Sequence, residues 1–422
     1  KWQSVVVPHD WAIYGPFGID NDRQLTAIAQ DGQKEAMEHA GRTGGLPFVG
    51  VGWYRLNFDA PSFVKGKKAT LIFDGAMSHA RVYINGQEAG YWPYGYNTFY
   101  LDVTPYLKEG TKNTLAVRLE NETESSRWYP GAGLYRNVHL VVTEDAHIPT
   151  WGTQLTTPVV KDDYAKVKLL ERVKAYNPYA KVNIKTTLVV PSGKQFDAYR
   201  IVTELKDKDG KVVTTDEKQG SRFDDNIFSQ ELVVSRPALW SPETPVLYQA
   251  VSKVYEGNIL KDEYTTSFGI RTIEVIPNKG FFLNGKRTSF KGVCNHHDLG
   301  PLGGAVNDAA IRRQIRILKD MGCNAIRTSH NMPAPELIRA CDEMGMMVMA
   351  ESFDEWKAMK VKNGYRHVFD EWAVKDLTNL LRHYRNNPSV VMWCIGNEVP
   401  EQWDGNKGPK MSYFLQELCH RE

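Results

Sequence analysis

Apolar and polar residues alternate through the first third of the chain, and this period of two predicts β-strands. Trp53–Phe58 and Ala80–Ile84 both alternate, and the second run leads directly into Asn85-Gly86. An Asn-Gly pair after such a run is the strongest short-range signal for a β-hairpin. A polar stretch that includes Gly41–Gly45 lacks the spacing of a phosphate-binding loop and is interpreted as a long surface loop. Residues 1–146 are therefore predicted to form a β-sandwich.

The next part of the chain is also rich in short strands. Strands are predicted at Val182–Val190, Arg200–Leu205 and Glu231–Val234, with a hairpin turn at Asp209-Gly210. Several short strands within about 125 residues are typical of an immunoglobulin-like sandwich. Residues 147–273 carry no cluster of His, Cys or paired acids, so this domain is interpreted as a spacer.

From about residue 274 the pattern changes to alternating strands and helices. Apolar runs predict four strands, at Ser289–Cys294, Cys323–Arg327, Met346–Ala350 and Val390–Ile395. Residues spaced for one helix face predict helices between them, one capped by Asp308, one from Pro335 to Gly345 and one over Phe369–Tyr384. Four such units are half of the eight that a closed (β/α)₈ barrel needs. Residues 274–422 are therefore predicted to be the N-terminal half of a TIM barrel.

Polar, chemically active side chains follow all four of these predicted strands. The strands lead into Asn295-His296-His297-Asp298, Arg327-Thr328-Ser329-His330, Glu351-Ser352-Phe353-Asp354-Glu355 and Asn397-Glu398. In a (β/α)₈ barrel the active site lies at the carboxyl ends of the strands. Imidazoles, a guanidinium and carboxylates there suit a polyhydroxylated ligand and acid–base cleavage of a glycosidic bond. A carboxylic acid partly shielded from water can donate a proton near neutral pH, and Glu398 is the candidate.

A metal site is the alternative use of the same region. His296, His297, Asp298 and Glu355 offer nitrogen and oxygen ligands, but their spacing matches no HExxH or other tight metal motif. The five cysteines form no CxxC pair, which argues against a zinc site and a disulfide framework. No metal ligand is therefore predicted.

Charge and hydropathy argue against two classes of partner. The 422 residues include 52 Lys and Arg and 50 Asp and Glu, a net charge of +2. This balance gives no basis for binding nucleic acid or an anionic membrane. No run of about 18 apolar residues predicts a membrane span. The chain starts at Lys1 without a Met and stops in mid-pattern at Glu422, so both ends are interpreted as trimmed.

Six motifs, spread over the whole chain, belong together. They are Val7-Pro8-His9-Asp10-Trp11, Arg127–Arg136 (RWYPGAGLYR), Leu239–Pro245 (LWSPETP), Phe268-Gly269-Ile270-Arg271, Asn324–His330 (NAIRTSH) and Trp393–Glu398 (WCIGNE). In this combination the chain resembles glycoside hydrolase family 2, the family of β-galactosidases, β-glucuronidases and β-mannosidases. The resemblance implies a jelly-roll-like sugar-binding sandwich over residues 1–146, an immunoglobulin-like sandwich over 147–273 and a catalytic TIM barrel from 274.

The resemblance also implies roles for residues after the barrel strands. Glu398 resembles the family's general acid/base, Asn397 the Asn that bonds the sugar 2-hydroxyl, and Arg327 the Arg that orients the nucleophile. His330 and His296 resemble its sugar-binding histidines. Family members retain the anomeric configuration, with one carboxylate as nucleophile and the other as acid and then base. The implied nucleophile is a Glu on a later strand, beyond Glu422, so this chain is expected to lack it and to be inactive by itself.

Two positions depart from the family pattern. Some family β-galactosidases bind Mg²⁺ through a Glu and a His after the third strand, together with the acid/base Glu. Glu355 could match that Glu, but Lys357 stands in place of the His, which puts Mg²⁺ in doubt and leaves no required cofactor. Ser125-Ser126-Arg127 also offers no carboxylate at the sandwich position that reaches the sugar in some members.

The expected activity of the full-length protein is that of an exo-acting β-galactosidase, with a β-glucuronidase as the alternative within the family. A non-catalytic carbohydrate-binding fragment is the alternative from another class. The expected partner is a β-galactoside or related glycan, and a homo-oligomer stays open. We expect a periplasmic or secreted full-length protein, although the sequence leaves a cytoplasmic location open.

Overall fold

The computed structural model describes residues 2–18, 20–21, 24–25, 34–35, 38–39, 48–59, 66–161, 178–222 and 225–422. Gly41–Gly45, predicted to be a loop, lies outside these residues. The described chain forms two β-sandwiches followed by a parallel sheet flanked by helices. The predicted fold class, two sandwiches and then part of a TIM barrel, is confirmed.

The N-terminal sandwich is built from two antiparallel sheets. Its strands, after the short pair β1 (Gln24–Leu25) and β2 (Glu38–His39), are β3 (Gly50–Asp59), β4 (Lys68–Phe73), β5 (Ala80–Ile84), β6 (Gln87–Trp92), β7 (Phe99–Asp102), β8 (Lys112–Asn121) and β9 (Val138–Thr143). They are ordered β3-β8-β5-β6 and β7-β4-β9. Asn85 and Gly86 have φ angles of 53° and 83° between β5 and β6, as a two-residue hairpin turn requires. Alternate residues of β5 are buried, so the alternation predicted for Ala80–Ile84 faces the core. In the other predicted run, on β3, Trp53 and Leu56 are exposed.

The second sandwich has the same general architecture. Its strands are β10 (Thr153–Lys161), β11 (Tyr179–Thr187), β12 (Tyr199–Lys206), β13 (Val212–Gln219), β14 (Ile227–Ser235), β15 (Tyr248–Glu256) and β16 (Ile259–Phe268). They form sheets of order β10-β11-β14 and β13-β12-β15-β16. The predicted turn at Asp209-Gly210 joins β12 to β13, with Gly210 at a φ of 79°. Trp240, which follows β14, is fully buried. Its Nε1 donates a hydrogen bond to the Asp342 carbonyl at 2.9 Å, and this bond joins the sandwich to the barrel.

The barrel region begins with a small antiparallel sheet and continues with four parallel strands. The small sheet is β17 (Ile273–Ile276), β18 (Gly280–Leu283) and β19 (Lys286–Arg287). The parallel sheet, in chain order, is β20 (Gly292–Asn295), β21 (Ala325–Thr328), β22 (Met347–Glu351) and β23 (Val390–Cys394). Helices follow these strands: α1 (Asp308–Asp320), α2 (Pro335–Met344), α3 (Phe369–Tyr384) and α4 (Lys407–Arg421). The carboxyl ends of the four strands therefore lie at one edge of the sheet. We call this edge, together with the loops that follow the strands, the mouth.

The helix boundaries differ from the sequence prediction at one cap. Asn307, not Asp308, caps α1, because its side chain accepts a hydrogen bond from the Ala310 N–H at 3.0 Å. Asp308 is the first helical residue and pairs instead with Arg312 and Arg339. Gly345 ends α2 in the left-handed conformation, as predicted. Within the described ranges, none of the helices is long and apolar enough to cross a membrane.

Arg136 fastens the N-terminal sandwich to the barrel. Its side chain is almost completely buried and donates to the carbonyls of Asp74 and Tyr96 at 3.3 and 2.8 Å. It also donates to the carbonyls of Met332 and Pro333, after β21, at 2.9 and 3.2 Å. A single guanidinium therefore satisfies backbone oxygens of both domains.

A buried carboxylate makes a second junction between the same domains. Asp376 on α3 is fully buried and accepts hydrogen bonds from Trp92 Nε1 at 2.8 Å and Asn97 Nδ2 at 2.7 Å, both in the sandwich. The Tyr365 hydroxyl is its third partner. Burial raises the pKa of Asp376 to about 7, although these hydrogen bonds act in the opposite direction.

This raised pKa predicts a pH-dependent stability. Between about pH 4, the unfolded value, and about pH 7, the folded state binds more protons at Asp376, so this group's contribution to stability falls as pH rises. Asp376→Asn removes the titration. The variant should therefore gain about 1–3 kcal/mol relative to the wild type between pH 5 and pH 8, measured by denaturant unfolding. Asp370→Asn, on the exposed side of α3, is the control. An equal difference at both pH values would contradict the prediction.

Candidate active site

The first group at the mouth is centred on Glu351, the last residue of β22. Glu351 is fully buried and accepts from Arg327 at 2.7 Å (Nε) and 3.1 Å (Nη2). His330 Nδ1 lies 3.1 Å from the same carboxylate. Burial acts to lower the pKa of Arg327, but the hydrogen bond and charge of Glu351 outweigh it and raise the pKa. Arg327 is therefore held charged and in a fixed orientation.

The second group is centred on Asp354, in the loop after β22. Asp354 accepts from Arg127 Nε and Nη2 at 2.9 and 2.6 Å and from Lys360 Nζ at 2.8 Å. Burial alone would raise the pKa of Asp354, but Arg127 and Lys360 lower it. The carboxylate thus stays ionised between two cations, one of them supplied by the N-terminal sandwich.

Asn397 connects the two groups. Its Oδ1 accepts from Arg327 Nη2 at 3.1 Å, and its Nδ2 donates to Asp354 at 3.0 Å. Because one end of the amide faces a donor and the other an acceptor, its orientation is fixed. The row Glu351–Arg327–Asn397–Asp354–Arg127 therefore runs across the mouth from the barrel to the sandwich.

Glu398 lies beside this row and differs from its neighbours. Its φ angle is 41°, a left-handed conformation that residues other than glycine rarely adopt and that occurs at functional sites. Its Oε2 is 3.7 Å from Arg127 Nη2. The expectation of a shielded carboxyl is wrong for the described part of the mouth, since 71% of the side chain is exposed. Among the described residues, Arg127 and Lys360 are cations near it.

Aromatic rings form one wall of the mouth. The Trp128 ring, from the sandwich, lies 5.1 Å from the ring of His296 and 5.9 Å from that of His330. Its Nε1 donates to the Tyr96 hydroxyl at 3.0 Å, which fixes the indole. Burial, and then the nearby His330, lower the pKa of His296, so His296 is neutral near pH 7. A flat apolar ring beside the neutral imidazole of His296 suits the face and the hydroxyls of a sugar.

The structure thus brings together the sequence-predicted residues His296, Arg327, His330, Asn397 and Glu398. Their catalytic and binding roles stay predictions. The sequence placed Glu351 and Asp354 after the third strand, at this edge of the sheet, but gave them no role. It did not assign Arg127, Trp128 or Lys360 to the site.

The residues considered for Mg²⁺ do not fit a metal site. The buried Glu355 accepts the backbone N–H groups of Lys360 and Arg366, each at 2.9 Å, so both of its oxygens are occupied. Lys357 pairs with Asp370 and offers no metal ligand beside Glu355. Among the described residues, no group of three or more His, Cys, Asp and Glu side chains could hold a metal ion.

Comparison with known proteins identifies the family. Residues 46–144 match the sugar binding domain of glycosyl hydrolases family 2, residues 156–271 match the family's general model, and residues 274–418 match its TIM barrel domain. The chain belongs to glycoside hydrolase family 2. The resemblance drawn from the six sequence motifs is confirmed.

Relatives of this chain within family 2 include β-galactosidases and β-glucuronidases. The β-galactosidase BoGH2A of Bacteroides ovatus is 42% identical over 97% of this chain and 45% of its own length. A β-glucuronidase of Bacteroides fragilis is 30% identical over 81% of this chain and 49% of its own. The crystal structure of a family 2 member from Bacteroides cellulosilyticus superposes with a TM-score of 0.88 at 34% identity, covering 100% of this chain and 51% of that one. The chain therefore spans about half the length of the relatives it matches.

Proposed function

We propose that this chain belongs to a retaining exo-β-glycosidase that removes terminal non-reducing β-D-galactose, with Glu398 as general acid and base. In the first step Glu398 would protonate the glycosidic oxygen while a second carboxylate attacks the anomeric carbon. In the second step the Glu398 carboxylate would remove a proton from water, which then releases the sugar. Asn397 would hold the 2-hydroxyl, and His296, His330 and Trp128 would line the sugar.

The charge balance of the mouth is the observation that carries the choice of galactose. Three cations and three carboxylates are in contact around Asn397, namely Arg127, Arg327, Lys360, Glu351, Asp354 and Glu398. Each cation in this described part of the mouth already faces a carboxylate. A glucuronide would bring a further negative charge that none of these cations is free to pair. A neutral sugar such as galactose meets no such cost.

The β-glucuronidase reading remains the second candidate, because relatives such as that of Bacteroides fragilis carry that name. A cation supplied from outside residues 1–422 would favour it. The two candidates differ in one group on the substrate, so a matched pair of substrates separates them.

The second carboxylate is proposed to lie outside residues 1–422. Glu351 is bound by Arg327 and His330, and Asp354 by Arg127, Lys360 and Asn397. Glu351 is fully buried, and Asp354 is held in place by three donors at once, so neither is free to reach the anomeric carbon. Neither is therefore assigned the attack on the anomeric carbon.

The test compares this chain with a barrel-complete form, meaning the chain extended to the length of its relatives. The extended form should hydrolyse an aryl β-D-galactoside and act far more slowly on the matching aryl β-D-glucuronide. NMR should detect the β-anomer of galactose as the first product. The 422-residue chain should show no turnover of either substrate. Faster glucuronide hydrolysis would reverse the substrate assignment. Turnover by the short chain would place the nucleophile within it.

A further inference from the structure

Arg127 is a sandwich residue that lies in the mouth of the barrel. Its guanidinium binds Asp354, which is 227 residues further along the chain, through two hydrogen bonds of 2.9 and 2.6 Å. The hydrogen bond with Asp354, more than any other interaction, raises the pKa of Arg127, and the charge of Glu398 adds to the effect. The side chain is 23% exposed, so it is held in place instead of extending into solvent.

Through its hydrogen bonds, Asp354 connects Arg127 to Asn397 and Glu398, the two residues that are proposed to act on the sugar. Asp354 Oδ1 accepts from Arg127, from Lys360 and from Asn397 Nδ2. Lys360 also donates to the Asn397 carbonyl at 2.8 Å, directly before Glu398. A fork of two parallel hydrogen bonds fixes the carboxylate plane as a single ammonium does not. The plane of Asp354 in turn fixes the amide of Asn397.

We propose that Arg127 is a positioning residue through which the sandwich domain aligns the Asn397 amide and the Glu398 carboxyl for the glycosidase reaction. The inference rests on the proposed function, because alignment matters only if these two groups act on a sugar. Arg127 touches neither group through a hydrogen bond, and it acts through Asp354 and through its charge near Glu398.

Two consequences separate this role from a purely structural one. The 2-hydroxyl contact of Asn397 strengthens in the transition state, so a misaligned amide should lower kcat more than it raises KM. Among the described residues, Arg127 and Lys360 are cations beside Glu398, with Asp354 between them. A misaligned Glu398 carboxyl would protonate the leaving oxygen poorly, so the loss should be larger for an alkyl β-galactoside than for an activated aryl β-galactoside.

The experiment measures kcat and KM for an alkyl and an activated aryl β-galactoside in the barrel-complete form. Arg127→Met should lower kcat for the alkyl substrate about 10- to 100-fold with a smaller change in KM, and should lower kcat for the aryl substrate less. Arg127→Lys keeps the charge but not the fork, so it should leave kcat for the alkyl substrate reduced. Arg118→Met is the matched control, because Arg118 is 26% exposed and pairs with Glu120 on the same sandwich strand, β8.

Each outcome decides the proposal. Wild-type kinetics in Arg127→Met, or an equal loss on both substrates, would overturn it, while a wild type that is inactive on both galactosides would instead overturn the proposed function. Should Arg127→Met not fold, as judged by its thermal melt, Arg127→Lys decides. A kcat that is reduced more for the alkyl substrate than for the aryl substrate supports the positioning role, and wild-type kcat overturns it.

Discussion

Replacing Glu398 by glutamine in the barrel-complete form should reduce hydrolysis of an alkyl β-galactoside by about 10²–10⁴-fold. An alkyl leaving group departs readily only if the glycosidic oxygen is protonated, and glutamine cannot supply the proton. An activated aryl galactoside, whose leaving group needs no proton, should form the glycosyl intermediate at a nearly unchanged rate. The comparison of the two substrates in steady-state and burst kinetics is the measurement.

The second half of the reaction gives an independent check on the same variant. Glutamine cannot take a proton from water, so the intermediate should accumulate. An anionic nucleophile such as azide needs no base and should restore turnover of the aryl substrate. Glu231→Gln, in the second sandwich, is the control for the loss of a carboxylate elsewhere. An equal loss on both substrates without rescue by azide would exclude Glu398 as acid and base.

Replacing Arg136 by methionine should destabilise the 422-residue chain by about 3 kcal/mol or more. The substitution leaves up to four buried carbonyl oxygens without a donor, and each unsatisfied buried group costs about 1–3 kcal/mol. Relief of the buried charge offsets only part of this cost.

Denaturant unfolding measures the loss, and limited proteolysis locates it at the junction of sandwich and barrel. Arg81→Met is the control, because the Arg81 side chain, on the same sandwich, is 43% exposed and pairs with Glu88. A change in unfolding free energy below about 0.5 kcal/mol, the range of ordinary surface substitutions, would show that Arg136 does not join the two domains.

Much of the barrel half of the site was predictable because local sequence determines it. An apolar run followed by a polar residue marks the end of a buried strand, and parallel strands place those ends at one edge. This reasoning placed His296, Arg327 and Asn397 correctly at the mouth. It also indicated Glu398, but not its exposure, since exposure depends on which distant segments cover it.

The sandwich half of the site was not predictable in the same way. Arg127 and Trp128 follow no strand of the barrel, and their contacts with Asp354 and His296 span more than 160 positions of the chain. Only tertiary packing brings them to the mouth. The choice between Asn307 and Asp308 as the cap of α1 failed for a local reason, because both residues are good caps and the backbone of Asn307 is the extended one.

The short segment from Arg127 to Arg136 has two structural roles. Arg127 and Trp128 reach the mouth, and Arg136 anchors the same segment to the loop after β21. For directed recombination between family members, a crossover inside this segment would separate the residues at the mouth from their anchor. Libraries that exchange the sandwich of one relative for that of another should therefore keep residues 127–136 with the barrel loops they bind, and select those blocks as pairs.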